Sequence, residues 1–366
     1  MAKKVHRLTK LEKGRAGCGN PPGRLESAAV RVSVIILNWN GRELLADCLR
    51  SVAAQDHPDL ETIVVDNGSA DGSSEMVERE FPQVDLIKSP DNLGFCRANN
   101  LAIAKASGEL VALVNNDAEL APDFVSRMVA AAGLDPGFGM FAARVMMFDR
   151  RRVFDSAGLL VYPDGICRSR GWLEEDLGQF DQPEEVLGPN GCAAVYRRSM
   201  LDDIGLFDER YFAYLEDLDL CLRGQLRRWR CRYVPDAVAY HKKSMTSGYH
   251  SAFKAYLVER NRIWNAVKLF PKRLLLLSPL YTLARYLAQA YAALAGRGIS
   301  SEFARDYSRL ALLAILTRAY LAALAGMPAA LAERRKIQRG RRLGALAVYG
   351  LMRRYRLPLA ELAFKD

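Results

Sequence analysis

From Arg31 onward the hydrophobic pattern becomes regular. Val32-Ser33-Val34-Ile35-Ile36-Leu37 is a short, β-branched apolar run closed by Asn38-Trp39-Asn40-Gly41, which predicts a buried strand ending in a turn. Leu44, Leu45, Cys48, Leu49 and Val52 then recur at helical spacing over 42 to 55. The alternation continues with a strand at 61 to 65, a helix at about 73 to 80, a strand at 84 to 88, a helix at 95 to 106 and a strand at 110 to 114. Strands and helices alternating in this way predict an α/β fold: a doubly wound, mixed but mainly parallel sheet with helices on both faces. Past residue 138 the pattern is less regular. Short strands are expected at 143 to 148, 158 to 162 and 192 to 196, with a Gly-, Pro- and acid-rich stretch from Gly171 to Pro189 as a mobile loop over a site. A helix at 215 to 228, strands at 231 to 234 and 237 to 240 and a long helix over 249 to 269 complete a unit assigned to residues 31–270.

The remainder, 271–366, reads differently. Residues 274 to 295 and 308 to 331 are Leu/Ala-rich helices interrupted by Arg285, Arg309 and Arg318 and flanked by Lys272, Arg273, Arg334, Arg335, Lys336, Arg341 and Arg342. An arginine at the centre of a spanning helix costs roughly 2.5 to 3.5 kcal/mol. The expectation is therefore helices lying in a membrane interface, with spanning helices and soluble packing or dimerisation as the alternatives.

Charge sharpens this division. The formal net charge is +10, but residues 1–30 hold seven Lys/Arg against two acids and residues 272–366 seventeen against five, leaving the middle at −7. Residues 1–30 have no apolar run and predict a disordered basic tail, not a signal. An acidic centre with basic flanks suits a metal site beside an anionic membrane surface, and it argues against nucleic acid as a partner. The seven cysteines are scattered without a C-x-x-C pair, which fits a reduced compartment. The expected location is the cytoplasmic face of the cell membrane.

Ligands of doubly wound sheets bind beyond the carboxyl ends of the strands, where Asn38, Asp66 and Asp117 fall. No G-x-G-x-x-G follows the first strand and no G-x-x-x-x-G-K-[ST] occurs, so a nucleotide here would be held by side chains and turns. Asn115-Asn116-Asp117-Ala118-Glu119 is an acidic turn after a buried strand. One carboxylate there, with the phosphates of a diphosphate, can hold Mg²⁺ or Mn²⁺; the competing role for Asp117 is to cap the helix starting near Pro122.

Several ordered motifs together resemble the family 2 glycosyltransferases of GT-A fold. They are Ile36-Leu37-Asn38-Trp39-Asn40-Gly41, Val65-Asp66-Asn67-Gly68-Ser69-x-Asp71-Gly72, Asn92-x-Gly94-Phe95-x-x-Ala98-x-Asn100, Asn115-Asn116-Asp117, Glu216-Asp217-x-Asp219-Leu220-x-x-Arg223 and Tyr233-x-Pro235-Asp236-Ala237-x-x-x-His241. The likeness covers roughly 31 to 245 and is greatest to rhamnosyltransferase-like and galactofuranosyltransferase-like members. It implies a nucleotide-sugar donor, UDP- or dTDP-linked, whose base and ribose lie near Asn38 and Asp66, with Asn40, Asn67 and Ser69 in the same turns. It also places Gly94, Asn99, Asn115 and Asn116 near the nucleotide and sugar, and makes His241 a metal ligand with Asp117. The usual Asp-x-Asp of the metal turn is here Asn115-x-Asp117, one charge fewer.

An acceptor hydroxyl must lose a proton as it attacks. On a helix over 215 to 228, Glu216, Asp219 and Arg223 share a face and Asp219–Arg223 is an i,i+4 pair, which leaves Asp217 as the general base and Glu216 as its neighbour. One base with a metal on the leaving group describes a single displacement, which inverts. Asn190-Gly191 resembles the family's acceptor loop, and Trp172 is a candidate to stack on a sugar or to pack at the surface. Gln225-Leu226-Arg227-Arg228-Trp229 spells the Q-x-x-R-W of processive synthases but falls too close to Asp217 to serve that role. The expected function is transfer of a rhamnose-like or other hexose to a glycan or polyprenyl-linked acceptor in cell-surface polysaccharide synthesis. The alternatives are a processive synthase of the same fold and a nucleotide-sugar-binding protein without catalysis.

Overall fold

The computed structural model describes residues 30–242 and 251–365; the basic tail expected over 1–30 lies outside them but for Val30. The first half alternates as the pattern predicts: β1 (Val32–Asn38), α1 (Arg42–Ala53), β2 (Leu60–Asn67), α2 (Ser73–Glu80), β3 (Asp85–Ser89), α3 (Gly94–Lys105) and β4 (Leu110–Asn115). β1 pairs in parallel with β2 and with β4, and β2 with β3, so their carboxyl ends lie side by side. Apolar residues facing both ways along β1, among them Val34, Ile35 and Ile36, are fully buried, as a strand covered by helices on both faces requires.

The second half is mixed. β5 (Ala118–Leu120), α4 (Phe124–Gly133), β6 (Phe138–Met147), β7 (Phe154–Ser156), β8 (Leu159–Val161), β9 (Cys167–Ser169), β10 (Glu185–Val186), β11 (Ala193–Arg197), α5 (Arg198–Ile204), α6 (Glu216–Leu226) and β12 (Arg230–His241) follow. The main sheet runs β10-β12-β6-β11-β4-β1-β2-β3, with β5 on β12 and β7 on β6. β11 enters antiparallel between β4 and β6 and carries the Asn190-Gly191 loop to the end of β4. The two strands expected at 231 to 234 and 237 to 240 are one, β12, whose register shifts between Val234 and Val238. Pro235, without an N–H for the ladder, lies in that shift.

The chain ends in helices α7 (Ala252–Leu269), α8 (Lys272–Leu294), α9 (Ile299–Asp306), α10 (Arg309–Ala325), α11 (Met327–Gly340), α12 (Ala345–Arg354) and α13 (Leu359–Phe364). The helix expected over 308 to 331 breaks at Gly326, where the Trp264 ring packs so closely that a Cβ would collide with it. One hydrophobic cluster passes across residue 270: Ile35 and Leu113 of the sheet belong with Phe270, Leu274, Ala330, Val348 and Met352. The catalytic-type sheet and the terminal helices thus share a core. Arg285, which interrupts the Leu/Ala-rich run of α8, points into the protein. Its side chain is 2% exposed and bonded to Asp164 and Glu259, so its charge is neutralised within the protein. No single helix among the described residues is long and apolar enough to cross a membrane; α9 and α10 reach that length only together, bent by 112°.

Candidate active site

The ends of β1, β2 and β4 form one side of the site. Asn38 stands opposite Asp66, and Leu37 opposite Asn115. Asn116 donates from Nδ2 to Asn38 Oδ1 (2.7 Å), and Asn38 Nδ2 reaches Ser69 Oγ (3.3 Å). Asn40 accepts the Ala70 amide (2.8 Å), and Asn67 accepts the Leu93 amide (2.8 Å). Asn38, Asn40, Asn67, Ser69 and Asn116 thus shape the turns at the strand ends. Asp66 differs. It is 4% exposed, its Oδ2 accepts from Ser74 (2.5 Å), and its Oδ1 is buried with no partner. A buried acceptor without a donor is costly, and a ligand N–H or O–H would satisfy it. Gly94 holds φ +77, and a Cβ there would meet the Phe212 ring at 2.5 Å, so only glycine allows this approach. Asn99 is buried, its amide donating to Phe95 O (2.8 Å).

Past β4, the Asp117 turn meets the end of β12. β5 pairs with β12 so that Ala118 lies opposite His241, and His241 Nε2 is 3.2 Å from Asp117 Oδ1. The other ring nitrogen, Nδ1, is 2.9 Å from Asp155 Oδ2 on β7. Burial opposes charge on this imidazole, but the Cys192 sulfur and the two carboxylates raise its pKa well above the usual value. Two donor atoms about 3 Å apart are the spacing of neighbouring ligands on one octahedral cation with bonds of about 2.1 Å. The residues therefore fit a divalent cation, with an oxygen ligand suited to Mg²⁺ or Mn²⁺ and an imidazole that favours the latter. Among the described residues no three His, Cys, Asp or Glu side chains converge as a complete cage, so further ligands would come from phosphate oxygens and water. Asp155 was not singled out from sequence; a lone Asp on a three-residue strand carries no motif.

Opposite lies α6. Of its three acids, Asp219 is paired with Lys268 (2.6 Å) and Arg223 (2.8 Å), as the i,i+4 spacing predicts for the arginine. Among the described residues neither Glu216 nor Asp217 is paired with a cation. Asp217 accepts the amides of Leu218 (2.7 Å) and Gly191, which ties it to the acceptor-side loop. Glu216 Oε2 is buried without a partner. Burial pushes both carboxyls above their ordinary range, and for Glu216 the Asp217 charge adds to the effect. An acid of raised pKa beside an open cavity is poised to take a proton near neutral pH. Gln225 and Trp229 do structural work, donating to Val186 O and Leu187 O and to Asp203.

The loop that aims these acids is strained. Phe212, Tyr214 and Leu215 all adopt positive φ (65°, 69° and 66°), conformations that cost side-chain-bearing residues of this kind about 1–3 kcal/mol each. α7 holds the loop in place: Asn261 Nδ2 reaches the carbonyls of Tyr211 (3.2 Å), Ala213 (2.9 Å) and Tyr214 (2.8 Å), and Asn265 Nδ2 that of Leu215 (3.2 Å). Both asparagines are fully buried.

Asn115, Asn116, Asp117, His241, Asn190, Gly191, Trp172, Glu216 and Asp217 line one cavity of about 1010 Å³. Trp172 is buried in its wall at 6% exposure under Arg168. Asn38, Asn40, Asp66, Asn67, Ser69 and Gly94 stand at the adjoining strand ends.

With this geometry in view, residues 33–205 match the family model described as Glycosyl transferase family 2. Over 268 residues the chain is 27% identical to an N-acetylglucosaminyl-diphospho-decaprenol L-rhamnosyltransferase of Mycobacterium tuberculosis, covering 63% of this chain and 85% of that one. Over 231 residues it is 28% identical to an N-acetylglucosaminyltransferase of Bradyrhizobium diazoefficiens, covering 59% and 46%. The chain spans between 25% and 85% of the length of such curated relatives. A mannosyltransferase from Pyrobaculum calidifontis, solved with GDP-Man and Mn²⁺, superposes with a TM-score of 0.51 at 23% identity, over 82% of this chain and 87% of that one, and so shares the fold. Residues 33–205 thus match the family 2 glycosyltransferases, on a fold of GT-A type.

Proposed function

For this family 2 domain we propose inverting transfer of a hexose from a UDP- or dTDP-sugar to a hydroxyl of a polyprenyl-linked glycan acceptor, at the cytoplasmic face of the cell membrane. The observation that carries the reading is the meeting, in one cavity, of the acid pair Glu216–Asp217, which has no cation among the described residues, with the Asp117–His241 pair. Asp66, with its unsatisfied oxygen, binds an N–H of the base or a ribose hydroxyl. Asp117 and His241 hold a divalent cation, which when bound offsets the charge of the departing diphosphate. Asp217 takes the proton of the acceptor hydroxyl while that oxygen attacks the anomeric carbon from the side opposite the diphosphate, so configuration inverts. Glu216, kept neutral by its neighbour, leaves Asp217 as the ionised member. The Asn190-Gly191 loop, bonded to Asp217, positions the acceptor, and Trp172 forms part of the wall beside it.

The Mycobacterium relative named for a decaprenol-linked acceptor and the basic flanks of the terminal helices support a lipid-linked acceptor at an anionic membrane surface. A screen of UDP- and dTDP-sugars for release of free nucleotide diphosphate, with and without a polyprenyl diphosphate-linked sugar, tests the reading. Acceptor-dependent release with Mg²⁺ or Mn²⁺, abolished by excess chelator, is expected. Full turnover in chelator would remove the cation from the mechanism, and no turnover with any acceptor would leave a binding protein.

A further inference from the structure

The cavity does not stop at the acids. Beyond Glu216 and Asp217 its wall passes to the terminal helices, through Val258 of α7, Ala293 of α8, Ile299 and Phe303 of α9, and Ile315 and Leu316 of α10. Most of the side chains that these helices add are apolar, and the charges of Glu259 and Arg285 among them neutralise each other, whereas the end beside Asp217 is lined by Asn190, Asp117 and His241. A water-soluble glycan would leave the apolar arm without a partner. An amphipathic acceptor would fill both ends at once, since each methylene buried there strengthens binding about fourfold.

Two further features continue the arm outward. The same two helices expose large apolar side chains: Leu280, Leu287 and Leu294 on α8 are 63%, 64% and 87% exposed, and Leu310, Leu313 and Leu324 on α10 are 80%, 61% and 62% exposed. An apolar face of that extent marks an interaction surface. Near the start of α8, Lys272 and Arg273 gather with Arg334, Arg335 and Arg341 of the α11 region around a shallow hollow. Exposed leucines beside a basic cluster are the chemistry of a surface that meets anionic lipid. The wall is also fixed to the sheet domain and its helices to one another. Arg285 on α8 bonds Asp164 (2.7 Å) in the sheet domain and Glu259 on α7 (2.9 Å), and Arg262 on α7 bonds Glu259 (2.6 Å) and Tyr320 on α10 (2.8 Å).

We propose that the apolar arm between α7, α8, α9 and α10 is the seat of the polyprenyl chain of a diphosphate-linked acceptor, with the far end of the chain continuing along the exposed leucines into the membrane. The proposal rests on the transfer reaction described above and assigns the acceptor's tail a site within it.

The test uses the full chain and acceptors with the same sugar diphosphate head on a geranyl or a decaprenyl chain. The native protein should favour the longer chain by roughly tenfold or more in kcat/KM, the effect of burying only two methylenes. Ala293→Trp, which fills the arm, should bring the two acceptors within about threefold, a difference of less than one buried methylene. A folded variant, checked by its melting curve, that keeps the native chain-length ratio overturns the site. Should the variant not fold, a benzophenone-bearing farnesyl diphosphate-linked sugar on the native protein decides instead. Labelling confined to α7–α10 and displaced by the decaprenyl acceptor supports the site. Labelling elsewhere, or displacement as effective by palmitoyl chains, overturns it. Transfer to both acceptors with no chain-length preference removes the tail site and leaves the proposed reaction standing, whereas no transfer to either acceptor removes both.

Discussion

Two groups of buried charge line the same cavity and differ in how they are compensated. On α6, Glu216 is buried and Asp217 half-buried, neither is paired with a cation among the described residues, and both carboxyls are pushed above their ordinary range. On α7 and α8, burial would raise Glu259 as well, but Arg285 and Arg262 outweigh it and hold it at about 2. Asp164 and Tyr286 complete that second group with hydrogen bonds. A buried ion pair neutralised on all sides is architecture and fixes one element against another. A buried acid left without a counter-charge costs stability and is retained for its chemistry. Asp219, one turn along α6 and paired with Lys268 and Arg223, shows that the helix had cations within reach; they serve the acid that faces away from the cavity.

The comparison breaks most visibly at Asp217. Asp217→Asn keeps the shape of the side chain but removes the base, so kcat should fall by roughly 10²–10⁴-fold with the donor Kd little changed. Steady-state turnover and calorimetric titration of the nucleotide diphosphate would separate the two effects. Equal loss of binding and turnover would move Asp217 into the architectural group. In the native enzyme the same raised pKa predicts that activity falls as pH drops, with its midpoint above the ordinary carboxylate range.

The second cluster should respond in stability. Arg285→Met removes one partner and leaves Asp164 and Glu259 short of charge, which costs about 3–5 kcal/mol in denaturant unfolding. Acid tests the same group. The stability that Glu259 contributes is present above its unfolded value of 4.5 and is lost as pH falls toward about 2, so unfolding by acid should steepen in that window. A cost below about 1 kcal/mol for the methionine variant would mean that the terminal helices are held by apolar packing alone.

How much of this could be read beforehand depends on how far apart the partners sit. β1, β2 and β4 were legible because strands buried on both faces are nearly continuous apolar runs. Asp66, Asp117, Asp217 and His241 were singled out because each lies in a motif. Arg285 was read only as an interruption of an apolar helix, since its partner Asp164 is 121 positions away and no local pattern joins them. Asp155 was passed over for the same reason: its contact with His241 crosses 86 positions. The positive φ values at Phe212, Tyr214 and Leu215 could not be foreseen from residues that disfavour them, because the force that imposes them is tertiary. Asn261 and Asn265 were not singled out within the long helix, yet they carry the bonds that hold that loop.

The α7 clamp sharpens the contrast, since it joins the architectural side to the chemical one. Asn261→Ala strips the donor from three carbonyls, a loss of about 1–3 kcal/mol in stability. Because the acids follow directly on the released loop, kcat should drop about tenfold, equivalent to roughly 1.4 kcal/mol. KM for the nucleotide sugar, bound at the other side, should stay near its native value. A stability loss with kcat intact would show that the loop holds its strained form without the clamp.

The smallest effect has the opposite sign. Glu216→Gln replaces a buried, unpartnered carboxyl by a neutral side chain of the same size, so it should stabilise the fold by about 0.5–2 kcal/mol at neutral pH. The gain should vanish in acid. A carboxyl whose pKa is raised by folding is neutral in both states at low pH, and it opposes folding only as pH climbs from its unfolded value of 4.5 toward the raised one. Melting curves of the native protein and the variant should therefore converge at pH below about 4.5 and separate above it. Curves that stay parallel across that range would mean that Glu216 finds a counter-charge in solution, and the distinction between the two buried groups would then rest on Asp217 alone.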